Sequence, residues 1–413
     1  MPSKYKRLGD YIKEVKVKNV NLEATSLLGI NINKFFMPSV ANVIGTDMSN
    51  YKIVKKHQFA CNRMHVGRDY RIPVALSNKV EPFMVSPAYD VFEIKDSTVL
   101  LPEYLMMWFS RKEFDRNAWF YTDADVRGGL HWKAFCDMKL PIPSPEKQRE
   151  IVREYNVIQN RIALNNQLIS KLEETAQAIH NQWFVDFEFP DENGLPFKSS
   201  SGTMIWCEEL DKEIPAGWDV SNLQELTSFL SRGITPKYTE AKGIIVINQK
   251  CIRSNAVDLT LSRKHNLDLK KVPEDKILIK HDILVNSTGT GTLGRVGLIK
   301  NVIKKMTVDT HVTIVRPSAK TKPLYLWFAI SGRTADIEYL AEGSTGQTEL
   351  SRENLGRMKV ILPSFEVQNK FSSIVENYIN LSLPLESEIL LLKELKELLL
   401  ARMTKVESEI ETI

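Results

Sequence analysis

The sequence is poor in the residues that build metal sites and disulfide frameworks. It contains four cysteines among 413 residues, and they lie far apart, at Cys61, Cys136, Cys207 and Cys251. It contains no C-x-x-C pair and no cluster of cysteine with histidine. This spacing predicts no metal site, and it is typical of a protein of the reducing cytoplasm.

Long apolar runs and net charge are also scarce. No apolar run approaches the ~20 residues that cross a bilayer, and the N-terminal MPSKYKRLGDYIKEVK is not a signal peptide. We therefore expect a cytoplasmic protein without a membrane partner. The net charge of +4 excludes a polybasic arm, but it allows local basic surfaces that face nucleic acid.

Motifs of catalysis are missing as well. We find no N-P-P-[FY] or D-P-P-Y motif of an adenine methyltransferase, no convincing PD-(D/E)xK-like cluster and no P-loop lysine motif. Glu146 and Glu366 are expected near helix starts, where an acid stabilises the helix dipole, and His57 and His281 lack companion ligands. We predict a chain with no catalytic residue, no metal and no cofactor.

What the sequence does contain is an internal duplication. LPIPSPEKQ begins at Leu140 and VILPSFEVQ at Val360, and their shared Pro, Ser, Glu and Gln lie 220 residues apart. Upstream matches keep the same order at offsets of 220 to 224 residues. They pair Lys56, His57, Asn62, Pro102, Tyr104, Leu105, Leu130, Met138 and Lys139 with Lys280, His281, Asn286, Pro323, Tyr325, Leu326, Leu350, Met358 and Lys359. One unit has therefore been used twice.

Each proline motif is followed by a heptad repeat, the pattern of a long helix with a coiled-coil seam. The first seam is Ile151, Tyr155, Ile158, Ile162, Asn165, Ile169, Leu172, Ala176, Ile179 and Trp183. The second is Phe371, Val375, Tyr378, Ser382, Leu385, Ile389, Leu392, Lys396, Leu399 and Met403. Polar residues at Asn165 and Ser382 can fix the register, and Pro384 is expected to kink or break the second helix.

The second helix also has leucines outside its seam, which make its apolar side wider than one partner helix requires. They are Leu390, Leu391, Leu395, Leu398 and Leu400. Exposed leucines in this number would form a patch that a soluble monomer rarely tolerates. We expect them to bind partner subunits.

The order along the chain is thus globular domain, long helix, globular domain, long helix. We predict a first domain at 1–145, a central helix at 146–185, a linker at 186–213, a second domain at 214–365 and a C-terminal helix at 366–413. Strand-like runs such as KGIIVINQK mix with helical patches such as PEYLMMWFSRKEF, which predicts an α+β fold. An antiparallel pair of long helices would relate the two domains by a pseudo-twofold axis.

The segment GTGTLG, within DILVNSTGTGTLGRVGLIK, matches the G-x-G-x-x-G pattern of nucleotide-binding loops. That pattern works only between a strand and a helix, and the following RVGLIKNVIKKMTV predicts a second strand instead. The equivalent stretch of the first domain, NRMHVGRDYRIP from Asn62, has no such pattern. The flanking strand-like sequence recurs in both repeats, whereas the polar residues between the strands differ. This pattern indicates a recognition loop, and a flexible hairpin tip is the alternative.

The chain resembles the specificity subunits of type I restriction–modification enzymes, the HsdS family. The resemblance covers essentially the whole chain. It rests on the doubled P-S-x-E-x-Q before a long helix, on KRLGDYI, IPAGW, LQEL and SRGITPKY, and on DILVNSTGTGTLGRVGL leading to GSTGQTELSRENLGRMKVILP. It implies two target-recognition domains that read a bipartite double-stranded DNA site, two docked methyltransferase subunits and no catalytic residue. Whether restriction subunits join is left open.

The resemblance places DNA readout in the variable loops, where arginine, glutamine, serine and threonine can contact bases or phosphates. In the first domain we select Asn62, Arg63, His65, Arg68, Arg71, Arg127, His131 and Trp132. In the second domain we select Thr235, Lys237, Ser287, Thr288, Thr290, Thr292, Arg295, Ser344, Thr345 and Gln347. For each of these, a solvated surface residue is the alternative.

Two other functions remain open from the sequence. One is an enzyme that binds a nucleotide or methyl donor through GTGTLG. The other is a coiled-coil scaffold with no role on DNA, which salt-dependent binding to duplex DNA would argue against.

Overall fold

The computed structural model describes residues 5–41, 45–64, 66–122, 128–342 and 348–404. Contacts divide the chain into two compact units. Unit 1 consists of Met1–Asn166 and Glu386–Ile413, and unit 2 consists of Gln167–Leu385. Each long helix therefore contributes one end to unit 1 and the other end to unit 2.

Unit 1 is built on a four-stranded antiparallel sheet in which the neighbouring strands are, in order, Ile12–Val15 (β2), Asp90–Ile94 (β9), Phe59–Cys61 (β6) and Val74–Leu76 (β7). Aromatic side chains fill the space between this sheet and its helices, with Phe59, Phe92, Phe109 and Phe135 all buried. The strands are β1 Tyr5–Arg7, β2 Ile12–Val15, β3 Leu28–Ile30, β4 Phe36–Pro38, β5 Lys52–Val54, β6 Phe59–Cys61, β7 Val74–Leu76, β8 Phe83–Val85, β9 Asp90–Ile94 and β10 Lys139–Pro141. The helices are α1 Val66–Asp69, α2 Pro102–Phe109, α3 Lys112–Phe120, α4 Trp132–Asp137 and the long α5 Pro145–Phe184.

Unit 2 has a main sheet of order β14-β23-β20-β21, antiparallel throughout, and a second sheet of order β15-β19-β16-β22. In the second sheet, β16 and β22 pair in parallel. The strands are β11 Met204–Cys207, β12 Lys212–Pro215, β13 Asp219–Asn222, β14 Thr227–Arg232, β15 Tyr238–Thr239, β16 Ile244–Ile247, β17 Ile252–Arg253, β18 Ala256–Val257, β19 Arg263–His265, β20 Ile283–Asn286, β21 Val296–Leu298, β22 Met306–Val308, β23 Val312–Pro317 and β24 Lys359–Leu362. The helices are α6 Pro323–Ser331, α7 Thr334–Tyr339, α8 Arg352–Gly356 and the long α9 Phe365–Arg402.

The backbone confirms the internal duplication. The main sheets have equivalent strand orders, and the turn before the central strand is the same in both. His57 and His281 have positive φ angles, +65° and +71°. Their N–H groups donate to the carbonyls of Ser77 and Ile299, each at 2.8 Å. The repeated histidine therefore belongs to a tight turn that leads into β6 or β20.

The repeated glutamine has a structural role at the start of each long helix. Gln148 is fully buried. It accepts a hydrogen bond from the Leu101 N–H and donates one to the Pro143 carbonyl, both at 2.8 Å. Gln368 makes the matching bonds one repeat later. The glutamine thus joins the start of α5 or α9 to the chain just before α2 or α6.

The predicted seams of both long helices face inward. All the seam positions are buried or half-buried. In unit 1 the start of α5 meets the end of α9, where Ile151 shares a core cluster with Leu400. In unit 2 the end of α5 meets the start of α9, where the rings of Trp183 and Phe371 lie 6.2 Å apart. The helices are therefore antiparallel within each unit.

The polar side chains of the two seams have hydrogen-bond partners within the helices. The Asn165 side chain, fully buried in unit 1, donates to Glu388 at 2.8 Å. The guanidinium of Arg161 binds the same carboxylate through two hydrogen bonds of 2.8 and 3.1 Å. Ser382 instead donates to the Ile379 carbonyl of its own helix at 3.0 Å.

Three features differ from the sequence-based expectations. Leu400 is buried in unit 1 and is therefore not part of an exposed leucine patch. The helix α9 continues through Pro384 without the break that was one of the two predicted outcomes, and the kink stays a prediction. Proline removes only one hydrogen bond, and exposed Asn380, the acceptor that loses it, can be hydrated. The segment 186–213, predicted as a linker, is folded onto unit 2, where Phe189 stacks on Trp218 at 4.9 Å.

Candidate nucleic-acid interface

The glycine-rich segment is the tip of a β-hairpin between β20 and β21. Gly289, Gly291 and Gly294 have φ angles of +104°, +69° and +78°, which glycine adopts without strain. The Asn286 N–H donates to the Arg295 carbonyl at 2.9 Å and closes the tip. A strand follows the glycines, as predicted. The hairpin therefore lacks the helix N-terminus that a dinucleotide or methyl-donor loop requires.

Two connections of unit 2 lie against this tip. The His311 carbonyl, between β22 and β23, accepts the Ser287 N–H at 2.9 Å. The His311 Nδ1 atom lies 2.6 Å from the Thr288 hydroxyl oxygen. Leu350, just before α8, donates its N–H to the Ser287 carbonyl at 2.9 Å. Loops distant in sequence are thereby joined by backbone hydrogen bonds.

Two more loops of unit 2 are joined to this group of loops. The buried Asn286 amide donates to the carbonyls of Gln249 at 3.0 Å and Thr292 at 2.9 Å. At the end of β14, a Cβ on Gly233 would lie 2.0 Å from the Val308 carbonyl oxygen, so only glycine fits there. We call residues 233–237, 248–250, 287–295, 309–311 and 348–350 the unit 2 loop surface.

The predicted DNA-contacting residues of the second domain that the structure describes lie within this surface. Thr235, Lys237 and Thr290 are exposed, and Thr288, Thr292 and Arg295 are half-buried. Ser287 is fully buried, and its hydroxyl pairs with that of Thr313. Ser287 therefore supports the hairpin from within, and it cannot reach DNA without a rearrangement of the tip.

Ser344, Thr345 and Gln347 lie outside the described residues. The chain on either side of them is described, and it joins the unit 2 loop surface. Glu342 and Glu349 exchange backbone hydrogen bonds of 3.0 and 2.8 Å. Glu349 also forms a β-bridge with Thr288 and an ion pair with Arg232.

Sequence reasoning missed a basic patch beside this surface. The guanidinium carbon of Arg263 lies 3.4 Å from the ring centroid of Tyr238, and both side chains are exposed. Residues 233–271 contain eight Lys or Arg and only three Asp or Glu, a net charge of +5 that exceeds the +4 of the whole chain. A windowed charge count would have found this signal.

A buried carboxyl group lies under the same surface. Asp309 is buried, and its Oδ1 accepts the His311 N–H at 2.9 Å. Burial raises the pKa of this carboxyl, because an apolar environment disfavours its charged form. The carboxyl group is thus held beneath the loops and not on their outer surface.

The corresponding loops of unit 1 also meet. The Gly67 N–H donates to the Gly128 carbonyl at 2.8 Å. A Cβ on Gly67 would lie only 2.7 Å from the Gly128 Cα, so both positions require glycine. The Leu130 N–H donates to the Arg63 carbonyl at 3.0 Å. We call residues 62–64, 66–73 and 128–132 the unit 1 loop surface.

The predicted residues of the first domain divide into inner and outer groups. Arg63 is mostly buried, pairs with Asp90 and lies 5.6 Å from the ring centroid of Trp132. Asn62 and Trp132 are half-buried, whereas Arg68, Arg71 and His131 are exposed. His65 and Arg127 lie outside the described residues. The exposed group is the one that can contact a ligand directly.

Comparison with known proteins finds similarity to type I specificity subunits. A family model described as type I restriction modification DNA specificity domain matches residues 215–395. The type I restriction enzyme MjaIX specificity subunit of Methanocaldococcus jannaschii is 25% identical over 77% of this chain and 71% of its own length. The HindI specificity subunit of Haemophilus influenzae is 22% identical over 90% of this chain and 91% of its own. These matches support an HsdS-family protein.

The fold agrees with this assignment. The crystal structure of a type I S subunit from M. genitalium covers 97% of this chain and 95% of its own, with a TM-score of 0.56 at 15% identity. Within its described residues, the chain has no group of His, Cys, Asp or Glu that could hold a metal ion. None of the helices described above is long and apolar enough to span a bilayer.

Proposed function

We propose that the chain is the DNA-recognition subunit of a type I restriction–modification complex, and that each unit reads one half of a bipartite site. A repeated frame with different loop contents carries this proposal. The hairpins β6–β7 and β20–β21 are equivalent in their sheets. The connection between β6 and β7 contains arginine and tyrosine, and the connection between β20 and β21 contains threonine and glycine. Equivalent loops with different side chains suit two different short DNA sequences.

The unit 2 loop surface has the chemistry of a DNA contact. Thr235, Thr290 and Lys237 are exposed donors that can bind phosphates. Arg263 is held over the Tyr238 ring, which limits the freedom of its planar guanidinium and suits bidentate contact with guanine. The Asp309 carboxyl is buried beneath the loops and accepts the His311 N–H, so it is not exposed to a bound phosphate.

The unit 1 loop surface offers arginine instead. Arg71 is exposed, and its contact with Asn33 is long at 3.4 Å. Arg68 is exposed and binds the adjacent Asp69 at 2.7 Å. Because exposed ion pairs contribute little energy, Arg68 can exchange this partner for phosphate at small cost. Arg63 is held by Asp90 and positions the loop from below.

The long helices provide surfaces for two methyltransferase subunits. On α9, Leu391 and Leu398 are 66% and 63% exposed, and Leu390 and Leu395 are exposed beside them. A separate exposed apolar stripe on α5 consists of Val157, Leu164 and Leu168. Each helix therefore has an apolar outer face in addition to its buried seam. Such faces are typical of subunit interfaces, and methyl transfer would be catalysed by the docked subunits.

Methylation mapping tests this function. The full chain is produced with the modification subunits of its own system in a host that lacks adenine methylation. We expect methylated adenines in a split motif with an unspecified gap. Replacing residues 1–145 by the equivalent part of another family member should change one half of the motif only. A continuous motif, or a change in both halves together, would contradict the two-reader proposal.

A binding experiment separates the loop surface from general charge. The double variant Lys237→Ala, Arg263→Ala is compared with Lys304→Ala in the same assembled complex. Lys304 is exposed, but it lies at the opposite end of β22 from 309–311. We expect the double variant alone to weaken specific binding, and to lower the salt slope by about 1 for each phosphate that it no longer neutralises. Equal effects in both proteins would argue against the assigned surface.

A further inference from the structure

Each repeat has an exposed aromatic side chain at the end of a short helix. Phe120, the last residue of α3, is 78% exposed, and Tyr339, the last residue of α7, is 90% exposed. The two helices differ in length and the two residues are not equivalent in the repeat, but each helix follows the helix that begins at the repeated proline. Large apolar side chains this exposed, at the ends of related helices, indicate a contact surface.

In unit 1 this aromatic residue borders the loop surface. The ring of Trp119, the neighbour of Phe120, lies 5.4 Å from the ring of Tyr70. Tyr70 belongs to the unit 1 loop surface and lies between Arg68 and Arg71 in sequence. The end of α3 therefore continues the surface that carries the exposed arginines.

In unit 2 the corresponding helix touches the hairpin tip. A Cβ on Gly294 would lie 2.9 Å from the Thr334 carbonyl oxygen and 3.3 Å from the Cγ of Glu338. Glu338 directly precedes Tyr339. Gly294 also has a φ of +78°, so this close approach of the tip to α7 depends on glycine. The aromatic residue at the end of α7 therefore lies beside the recognition hairpin.

We infer that Phe120 and Tyr339 are wedge residues, each of which inserts between two base pairs of the half-site read by its own unit and unstacks them. This inference rests on the proposed function. Apolar side chains that open a base step are a known way to bend DNA against a protein surface. Insertion would hide the rings from water, and the adjoining cations would hold the flanking phosphates.

Charge favours DNA over a protein partner for Phe120, because this ring adjoins a loop with exposed Arg68 and Arg71. Around Tyr339 the charge is mixed, because the hairpin tip carries Arg295, whereas α7 itself carries Asp336 and Glu338. Tyr339 is assigned to DNA because its helix contacts the hairpin tip. The apolar stripes on α5 and α9 lie on the long helices and are assigned to subunit docking.

Fluorescence of 2-aminopurine tests the wedge, because this base brightens when it is unstacked. Duplexes carry it at successive positions of each half-site, once methylation mapping has defined the motif. The full chain, assembled with its modification subunits, is compared with Phe120→Ala, Tyr339→Ala and the ring-preserving Tyr339→Phe. Trp206→Ala is the matched control, because Trp206 is an exposed aromatic residue of β11 that belongs to neither loop surface.

With the unsubstituted chain, Tyr339→Phe and Trp206→Ala, we expect one bright position at the wedged step of each half-site, in addition to the target adenine, which the docked methyltransferase flips out of the stack. Phe120→Ala should lose the wedge signal in one half-site only, and Tyr339→Ala in the other, each with binding weakened about 10- to 100-fold. Specific binding with no bright position other than the target adenine would overturn the wedge and leave the proposed function standing. Loss of subunit assembly in Phe120→Ala, with DNA affinity of the assembled fraction unchanged, would assign the ring to a protein partner and overturn it. Absence of specific binding by the unsubstituted complex would overturn the proposed function and the wedge together.

Discussion

Acidification should destabilise unit 2 through His180. This residue lies near the end of α5, with its ring 5.6 Å from that of Phe328 and 5.8 Å from that of Phe371. Neither ring nitrogen has a hydrogen-bond partner. Burial lowers the pKa of His180 to about 4, and the neighbouring Asn181 opposes this only weakly, because it makes no hydrogen bond to the ring.

The sign and size of the effect follow from linkage. The unfolded chain protonates this histidine near its ordinary pKa of 6.5, whereas the folded chain does so near 4. The contribution of neutral His180 to the free energy of unfolding is therefore fully present above pH 6.5 and is lost as the pH falls towards 4. The full loss is about 3 kcal/mol, at about 1.4 kcal/mol per pH unit. Between pH 7 and pH 5 we expect a loss of about 2 kcal/mol from this residue.

Urea unfolding of the full chain at pH 7 and pH 5 measures this loss. Tryptophan fluorescence is a suitable signal, because Trp183, Trp218 and Trp327 belong to the same core cluster of unit 2. His180→Leu removes the titrating ring, so its stability should fall by about 2 kcal/mol less than that of the unsubstituted chain. His131→Leu, at an exposed histidine, is the matched control and should behave like the unsubstituted chain. An equal loss in the unsubstituted chain and His180→Leu would refute the reasoning.

Three further outcomes are expected. Gln368→Leu removes the bonds of a buried amide to Lys322, Thr321 and Pro363. It should destabilise unit 2 by about 2–4 kcal/mol in urea unfolding. The equivalent variant Gln148→Leu should destabilise unit 1 instead. A loss below about 1 kcal/mol would contradict the role of the glutamine in joining the helix start to the preceding chain. Arg263→Ala should weaken binding to the half-site of unit 2 by about 1–3 kcal/mol and relax one base position if it reads guanine, as competition with substituted duplexes would measure; uniform weakening would indicate a phosphate contact. Inserting one heptad into both α5 and α9 adds about 10 Å to each helix. Methylation mapping should show a gap longer by about three base pairs with unchanged half-site bases, and activity at the original spacing would count against a spacer role.

The repeated architecture could be predicted from the sequence because it depends on local and periodic signals. Heptad spacing predicted which faces of α5 and α9 are buried, since a helix places residues three and four apart on one side. The residues after GTGTLG predicted a strand, because Gly297 and β-branched neighbours favour one. The recurring histidine and glutamine showed the duplication, although their roles in a tight turn and at a helix start became visible only in the structure.

Other properties depended on which elements come together in space. Leu400 and Leu398 have similar chemistry and neighbouring positions, but only Leu400 is covered by the core of unit 1. Ser287 and Thr290 belong to one polar loop, yet Ser287 is buried because the chain at Leu350 crosses it. Local composition cannot distinguish such pairs.

The loop surfaces themselves were decided by tertiary structure. Gly233 approaches Val308, and Gly67 approaches Gly128, across long separations in sequence. These backbone contacts depend on the order of the strands in the sheets and on a glycine, which has no Cβ atom at the point of contact. The two partners are far apart in the sequence, so no short stretch of sequence contains both. Residue types and periodicity therefore determined the family of folds and the places of variable loops. Packing alone decided which loop side chains reach solvent, because exposure is set by the elements that cover a residue.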